Sequence, residues 1–368
     1  MIDNIRLEGN DMNIHNNFRL KLRLIASTLL IAVSTLGSAT AQARPASEPD
    51  TPTDTPTVFA TDYAIGKMVK QDSMLFWLSY ENCLPPGGEF GPPCKIRSKP
   101  IGGGPIRTLY YDAPTGPMTG TIGNLSLATD EQFIYWSSDT GEIVRLSRSA
   151  SVGVAPMTLA QREVANSAGE IAVDNTYVYW FENSFGSPAS SKLFRAPKAG
   201  GARALMRTYD NRLRNLQVSN GTPYVIHAGI FIIPNILYKV VPAAGGTFTD
   251  TFVAATVSTY ALTSDTIFWA EGTGSGNRLV KSAPQNDVTS ITTRYTLGAT
   301  GSPEFRAMAV DNTNIYWQDY RGFNGQIFRL ALSPATGGTP QAITGAPTNV
   351  FDLLSDGRNL FWQDGTHI

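Results

Sequence analysis

Histidine and cysteine are nearly absent from this chain, and neither sign of charge is in excess. Three histidines and two cysteines occur in 368 residues. Only His227 and His367 lie beyond the leader described below, and they stand far apart in sequence. No Ser-His-Asp arrangement is suggested by so few candidates. G-x-S-x-G, H-E-x-x-H and a phosphate-binding loop are missing too, and no catalytic residue is assigned. Two thiols without a nearby His or a third Cys do not complete a zinc site. Lys plus Arg number 29 and Asp plus Glu 30, together 16% of the chain. Such balance removes the electrostatic case for nucleic acid or an anionic membrane surface.

Long apolar runs are lacking as well. The run Leu24–Leu36 follows Arg19, Lys21 and Arg23 and ends at Ala41-Gln42-Ala43. It is too short for a membrane span, which needs about 20 apolar residues. A basic segment, a short apolar core and a small-x-small site describe a secretory signal peptide over residues 1–43, with Met12 as its natural start. No Cys follows the cleavage site, so neither a lipid nor a transmembrane anchor is expected. Residues 44–56, rich in Pro, Thr and Asp, read as a flexible linker. The expected location is secreted or periplasmic. There, Cys83 and Cys94 read as a disulfide that stabilises by about 3 kcal/mol on the chain-entropy estimate.

What the chain has is glycine, 34 residues of it, and six tryptophans in one local context. Trp77, Trp136, Trp180, Trp269, Trp317 and Trp362 each follow Tyr or Phe, at separations of 59, 44, 89, 48 and 45 residues. The gap of 89 is twice the period, and Ile226 in its middle takes the Trp position, giving seven units. The long first interval contains Cys83 and Cys94. Asp130, Asp174, Asp311 and Asp356 open a turn before the Trp strand, where a carboxylate can bond the backbone. An acid follows the Trp closely in five units, as Asp139, Glu182, Glu271, Asp319 and Asp364. A strand with a central cation comes next, then in four units a glycine run suited to a tight hairpin. The Trp strand is apolar on both faces, which requires cover on both sides. Four strands in about 40–45 residues make a propeller blade. The expected fold is an all-β propeller over residues 57–368, of seven four-stranded blades, with six blades or an incompletely closed ring as the alternative. Residues 57–61 are expected to supply an outer strand to a last unit that runs only to Ile368, with either a stub at Gly365–Ile368 as its third strand or a truncated chain.

The Asp…Tyr-Trp…acid spacing resembles the YWTD-type propeller repeat of low-density-lipoprotein-receptor relatives and exported bacterial propeller proteins. No Thr follows the Trp here, so that family's hydrogen bonds between blades do not transfer. The resemblance implies a propeller and no particular chemistry.

Repeated acids around a ring fit either Ca²⁺ binding or pairing with the cations Arg145, Arg195, Lys281 and Arg329 of the next strand. No other cofactor is expected, and metal ligands are unassigned. Breaks in the repeat are better functional pointers. His227–Pro234, with Phe231, forms an apolar stretch in the unit lacking Trp. Arg207, Arg212 and Arg214 precede that unit and suit an anionic group. Phe90 tips the Pro- and Gly-rich loop between the cysteines. The expected function is a monomeric, non-enzymatic binding propeller that recognises a protein or carbohydrate through its loop face. The alternative is a metal-dependent hydrolase or lyase at the channel mouth.

Overall fold

The computed structural model describes residues 56–62, 66–80, 95–111, 126–138, 141–163, 168–184, 189–229, 234–272, 278–297, 304–321, 324–343, 345–346, 349–365 and 367–368. The leader, most of the linker, Cys83, Cys94, Phe90 and Phe231 lie outside these residues. The architecture is an all-β propeller of antiparallel sheets. Blade 1 holds β1 (Met68–Gln71), β2 (Met74–Ser79), β3 (Lys95–Pro100) and β4 (Arg107–Tyr111). Blade 2 holds β5 (Leu127–Thr129), β6 (Phe133–Ser137), β7 (Glu142–Ser147) and β8 (Met157–Gln161). Blade 3 is β9 (Ala168–Val173), β10 (Tyr177–Ser184), β11 (Ser190–Pro197) and β12 (Ala204–Tyr209). Blade 4 is β13 (Leu213–Ser219), β14 (Thr222–His227), β15 (Ile236–Pro242) and β16 (Phe248–Ala255). Blade 5 comprises β17 (Val257–Leu262), β18 (Thr266–Glu271), β19 (Arg278–Pro284) and β20 (Thr292–Leu297). Blade 6 comprises β21 (Glu304–Val310), β22 (Asn314–Arg321), β23 (Asn324–Ala331) and β24 (Gln341–Ala342). A last sheet has two strands only, β25 (Asp352–Ser355) and β26 (Leu360–Gln363). Six blades are therefore complete and a seventh is partial.

The second strand of each blade shows why the repeat has its composition. Ile134, Tyr135 and Trp136 are consecutive and all essentially buried, at 0%, 0% and 1% exposure. A strand covered on one face would expose every second residue. Here each sheet is sandwiched, and the apolar side chains sort into clusters between successive blades. Trp136 packs with Phe76 and Ile96 of blade 1. Trp180 packs with Tyr135 and Ile143 of blade 2. Trp317 packs with Phe268 and Val280 of blade 5. Each tryptophan thus faces the preceding blade, and burying it contributes several kcal/mol at the usual transfer coefficient.

That orientation corrects one expectation. Ile226 does not occupy the Trp position of blade 4; Val225 does. Val225 packs backward with Tyr179 and Phe181 of blade 3. Ile226 packs forward with Tyr260 and Trp269 of blade 5. The inner hairpin agrees: Ser219 pairs with Thr222 across Asn220-Gly221, as Asp174 bonds Tyr177 across Asn175-Thr176 in blade 3. The period becomes more regular, 45 and 44 residues on either side. His227 then stands where other blades carry an acid.

Closure joins the two ends of the described chain. One cluster unites Leu75 and Trp77 of blade 1 with Phe361, Ala60 and Ile368. Thr61 bridges His367 in antiparallel fashion. The Phe59 and Ala60 amides donate to the Ile368 carbonyl at 2.6 and 3.2 Å, and Ile368 N–H returns a bond to Ala60 at 2.9 Å. Residues 59–61 thus pair with the stub after β26, as the sequence suggested.

Candidate functional site at the channel mouth

The seven inner strands surround a central channel of about 480 Å³, to which every blade contributes. At one end lie the turns between the first and second strands. At the other, each inner strand begins beside the end of its blade's second strand.

The turn end is a structural belt. Asp130 Oδ1 accepts the amides of Gln132 and Phe133 at 2.8 and 2.7 Å, and Tyr135 Oη donates to its Oδ2 at 2.6 Å. Asp174 repeats this with Thr176, Tyr177 and Tyr179, all at 2.6 Å. Asp311 does so with Thr313, Asn314 and Tyr316 at 2.8, 2.8 and 3.0 Å. Asp356 keeps the two amides and takes Asn359 Nδ2 in place of a hydroxyl, because Phe361 follows. Two of these carboxylates also bind the adjacent blade, through Lys198 Nζ on Asp130 and Ser355 Oγ on Asp311.

The acids after Trp are also structural. Trp180 Nε1 donates to Glu182 at 2.9 Å and Trp269 Nε1 to Glu271 at 2.5 Å. In blade 1, Asp62 from the N-terminal segment takes Trp77 Nε1 at 2.8 Å and Ser79 Oγ at 2.7 Å. Asp319 faces Arg278 of blade 5 at 3.3 Å. Of the expected cations, Lys281 pairs with an acid, Glu271, at 2.7 Å. Arg145 and Arg195 stack instead over Phe133 and Tyr177, and Arg329 bonds Gln341.

The other end is less symmetric. Ten residues before each Trp position stand Lys67, Ser126, Glu170, Asn215, Thr259, Ala307 and Asp352. Three of these clasp the next blade through an inner-strand amide nine residues before its own Trp position. Ser126 Oγ accepts Ile171 N–H at 3.0 Å. Glu170 accepts Leu216 N–H at 3.0 Å and Asn215 N–H at 2.7 Å. Asp352 accepts Met68 N–H at 3.0 Å while Lys67 Nζ lies 3.1 Å from its other oxygen. Burial works against the Lys67 ammonium, but the carboxylates of Asp352 and Glu170 more than offset it and raise its pKa. Tyr260, fully buried beneath, has its hydroxyl pKa pushed well up by desolvation. Both carboxylates of the wall are therefore occupied by structural donors. Among the described residues, no three His, Cys, Asp or Glu side chains are grouped to hold a metal.

One residue further upstream the ring carries Gly66, Gly169, Arg214, Arg306 and Phe351. Phe351 and Arg306 line the channel, and Phe351 is 56% exposed, unusual for a phenylalanine beside a cavity. Arg306 Nη1 reaches Asn349 Oδ1 at 3.4 Å. The sequence carried the signal, because this position is glycine in blades 1 and 3. It becomes readable only once the strands are aligned on the Trp.

The residues singled out by sequence do not form one site. Arg207 lies on β12, an outermost strand, and binds Asp250 of the next blade's outer strand at 2.8 and 3.1 Å, with Tyr209 on the same carboxylate. Arg212 is exposed just before β13. Arg214 belongs to the mouth's ring position and reaches the Val257 carbonyl. His227 Nε2 lies 3.1 Å from Asp210 Oδ1, its ring against Tyr209 and Tyr238.

No protein family of known pattern matches the sequence, and no curated protein does. Solved structures do match in fold. The WD40 β-propeller domain of Doa1 aligns at a TM-score of 0.52 and 11% identity, over 84% of this chain and 93% of that one. An oligogalacturonate lyase in complex with manganese aligns at 0.53 and 12%, over 76% of each. An acylaminoacyl peptidase of Pyrococcus horikoshii aligns at 0.53 and 7%, over 82% of this chain and 49% of that one. These likenesses show the propeller fold. The likeness to the YWTD repeat rests on the spacing of the repeat alone.

Proposed function

We propose that the protein is an exported, non-enzymatic binding propeller that takes a protein or glycan ligand at the mouth of its channel. The observation that carries this reading is the exposed Phe351, which lines the channel together with Arg306 at the equivalent ring position of the preceding blade. An aromatic face with a neighbouring guanidinium suits a sugar ring or a peptide side chain. The wall carboxylates support it indirectly. Glu170 and Asp352 accept backbone amides, which leaves neither poised as a general base. Export rests on the basic-apolar leader and its Ala41-Gln42-Ala43 site. Screening the purified mature protein on glycan and peptide arrays tests the reading. Saturable binding without conversion of the ligand supports it; release of product from any bound glycan or lactone defeats it.

A metal-dependent hydrolase or lyase is the competing reading, and the manganese-bound lyase shares its fold. It requires carboxylates at the mouth to leave their amides for a cation. Elemental analysis and melting curves with Mn²⁺ or Ca²⁺ test it: no stoichiometric ion and no metal-dependent rise in Tm would remove its main support.

A further inference from the structure

The channel changes its chemistry along its length. The mouth is polar and its charges balance, with Lys67 and Arg306 set against Glu170 and Asp352, while Asn215 adds an amide side chain. Glu170 and Asp352 accept backbone amides, yet a carboxylate oxygen so engaged keeps a further lone pair. Such a mixture of donors and acceptors matches hydroxyl groups, which both give and take hydrogen bonds, better than an ion of either sign. Further in, the lining turns small. Eight residues before the Trp position stand Ala128, Ala172, Ala261 and Ala309, in four of the seven sheets. One residue on, where the inner strands end, Val173, Val218, Leu262 and Val310 line the channel and are half-buried. These four belong to the consecutive blades 3 to 6 and form an aliphatic arc. Lys70, Thr129 and Ser355 complete that level, and the Lys70 charge acts on Asp356 in the turn of the last sheet. From Arg306 to Val310 the strand advances four residues, about 13 Å at the usual rise. The volume of about 480 Å³ is that of a small-molecule site.

We infer, on the binding reading above, that the ligand at the mouth is a glycan bearing an aliphatic chain, and that the channel holds the chain. Sugar hydroxyls meet Lys67, Asn215, Glu170 and Asp352, and the exposed Phe351 ring covers a sugar face. The chain runs past the alanines and ends against Val173, Val218, Leu262 and Val310, where its methylenes leave water. A glycan without a chain leaves that arc wetted. A simple anion meets the carboxylates of the mouth, and a simple cation meets its lysine and arginine.

Maltose and its hexyl, octyl, decyl and dodecyl maltosides, each below its micelle concentration, serve as probes in calorimetric titration of the mature chain. Expected is saturable 1:1 binding of the maltosides, with Kd falling roughly threefold to fourfold per methylene and levelling off once the chain fills the channel. Decanol, which has the chain without the sugar, should bind about tenfold more weakly than decyl maltoside or worse. A variant carrying Val218→Asn and Val310→Asn should lose the gain from the longer chains and bind maltose and hexyl maltoside as the parent does. Its unfolding transition checks the fold, and the chain-length series in the parent carries the test even where the variant unfolds. Equal affinity for maltose and decyl maltoside, binding that never saturates, or decanol binding as tightly as decyl maltoside overturns the inference. A protein that binds array glycans or peptides without any gain from an added chain loses this inference and keeps the binding reading. One that binds neither loses both.

Discussion

Asp130, Asp174 and Asp311 hold a tyrosine five residues on, and through it they tie a turn to the blade core. Burial alone would raise the pKa of Asp130, Asp311 and Asp356. Lys198, Ser355 and Asn359, with the turn amides, outweigh it and hold all three below the usual 3.8. A depressed folded-state pKa means that the unfolded chain takes up protons first. The stability these groups contribute is complete above the unfolded value near 3.8 and is lost as pH falls through the lower folded values. Urea midpoints should thus decline steeply below about pH 4. Asp311→Asn should cost about 1–3 kcal/mol at pH 6, because two amides and the hydroxyls of Thr313, Tyr316 and Ser355 lose their charged acceptor. Its decline below pH 4 should be shallower than the parent's; an unchanged slope would remove Asp311 from the account. The Asp was legible in sequence as a turn residue. Its bond to Tyr was not, because a spacing of five residues becomes a contact only once the hairpin's register is known.

At the scale of elements, the blades are locked by clasps across the inner strands. Glu170 holds the start of β13 where Asn215 adopts a φ of 53°. Glu170→Gln leaves one acceptor oxygen for two amides and should destabilise by about 1–2 kcal/mol, read from equilibrium unfolding. An unchanged midpoint would mean that the strand start does not depend on the clasp. Gly169 just before it has a different reason for being glycine: a Cβ there would fall 1.7 Å from Phe181 Cε2. Gly169→Ala should therefore cost more than about 2 kcal/mol, as overpacking does in a rigid core; a stability within 0.5 kcal/mol of the parent, within the usual surface range, would contradict it. Strand order and the two-sided burial of the Trp strand were legible from the repeat alone. The Trp position of blade 4 was misassigned by one residue, since Val225 and Ile226 are equally apolar and only their opposite packing separates them.

The described propeller is a ring whose last blade is shared between residues 59–61 and the segment after β26. Removing residues 56–61 deletes the bonds to Ile368 and the edge contact of Phe59 with Phe361, whose rings lie 5.4 Å apart. That deletion should lower Tm by several degrees and expose Trp77 to iodide quenching; a parent-like Tm would show that closure does not depend on the N-terminal strand. Counting the repeat predicts seven units, of which six are complete blades and the last is a two-stranded sheet. The mouth was not legible in this way, because Phe351 and Arg306 acquire meaning only when seven inner strands converge on one channel. The most direct test of the binding account is calorimetric titration of an array-selected ligand against the parent protein and Phe351→Ala. The account predicts a Kd weakened at least tenfold in the variant, with unfolding unchanged and the ligand recovered intact. Equal affinity in both proteins, or a ligand returned as product, would contradict it.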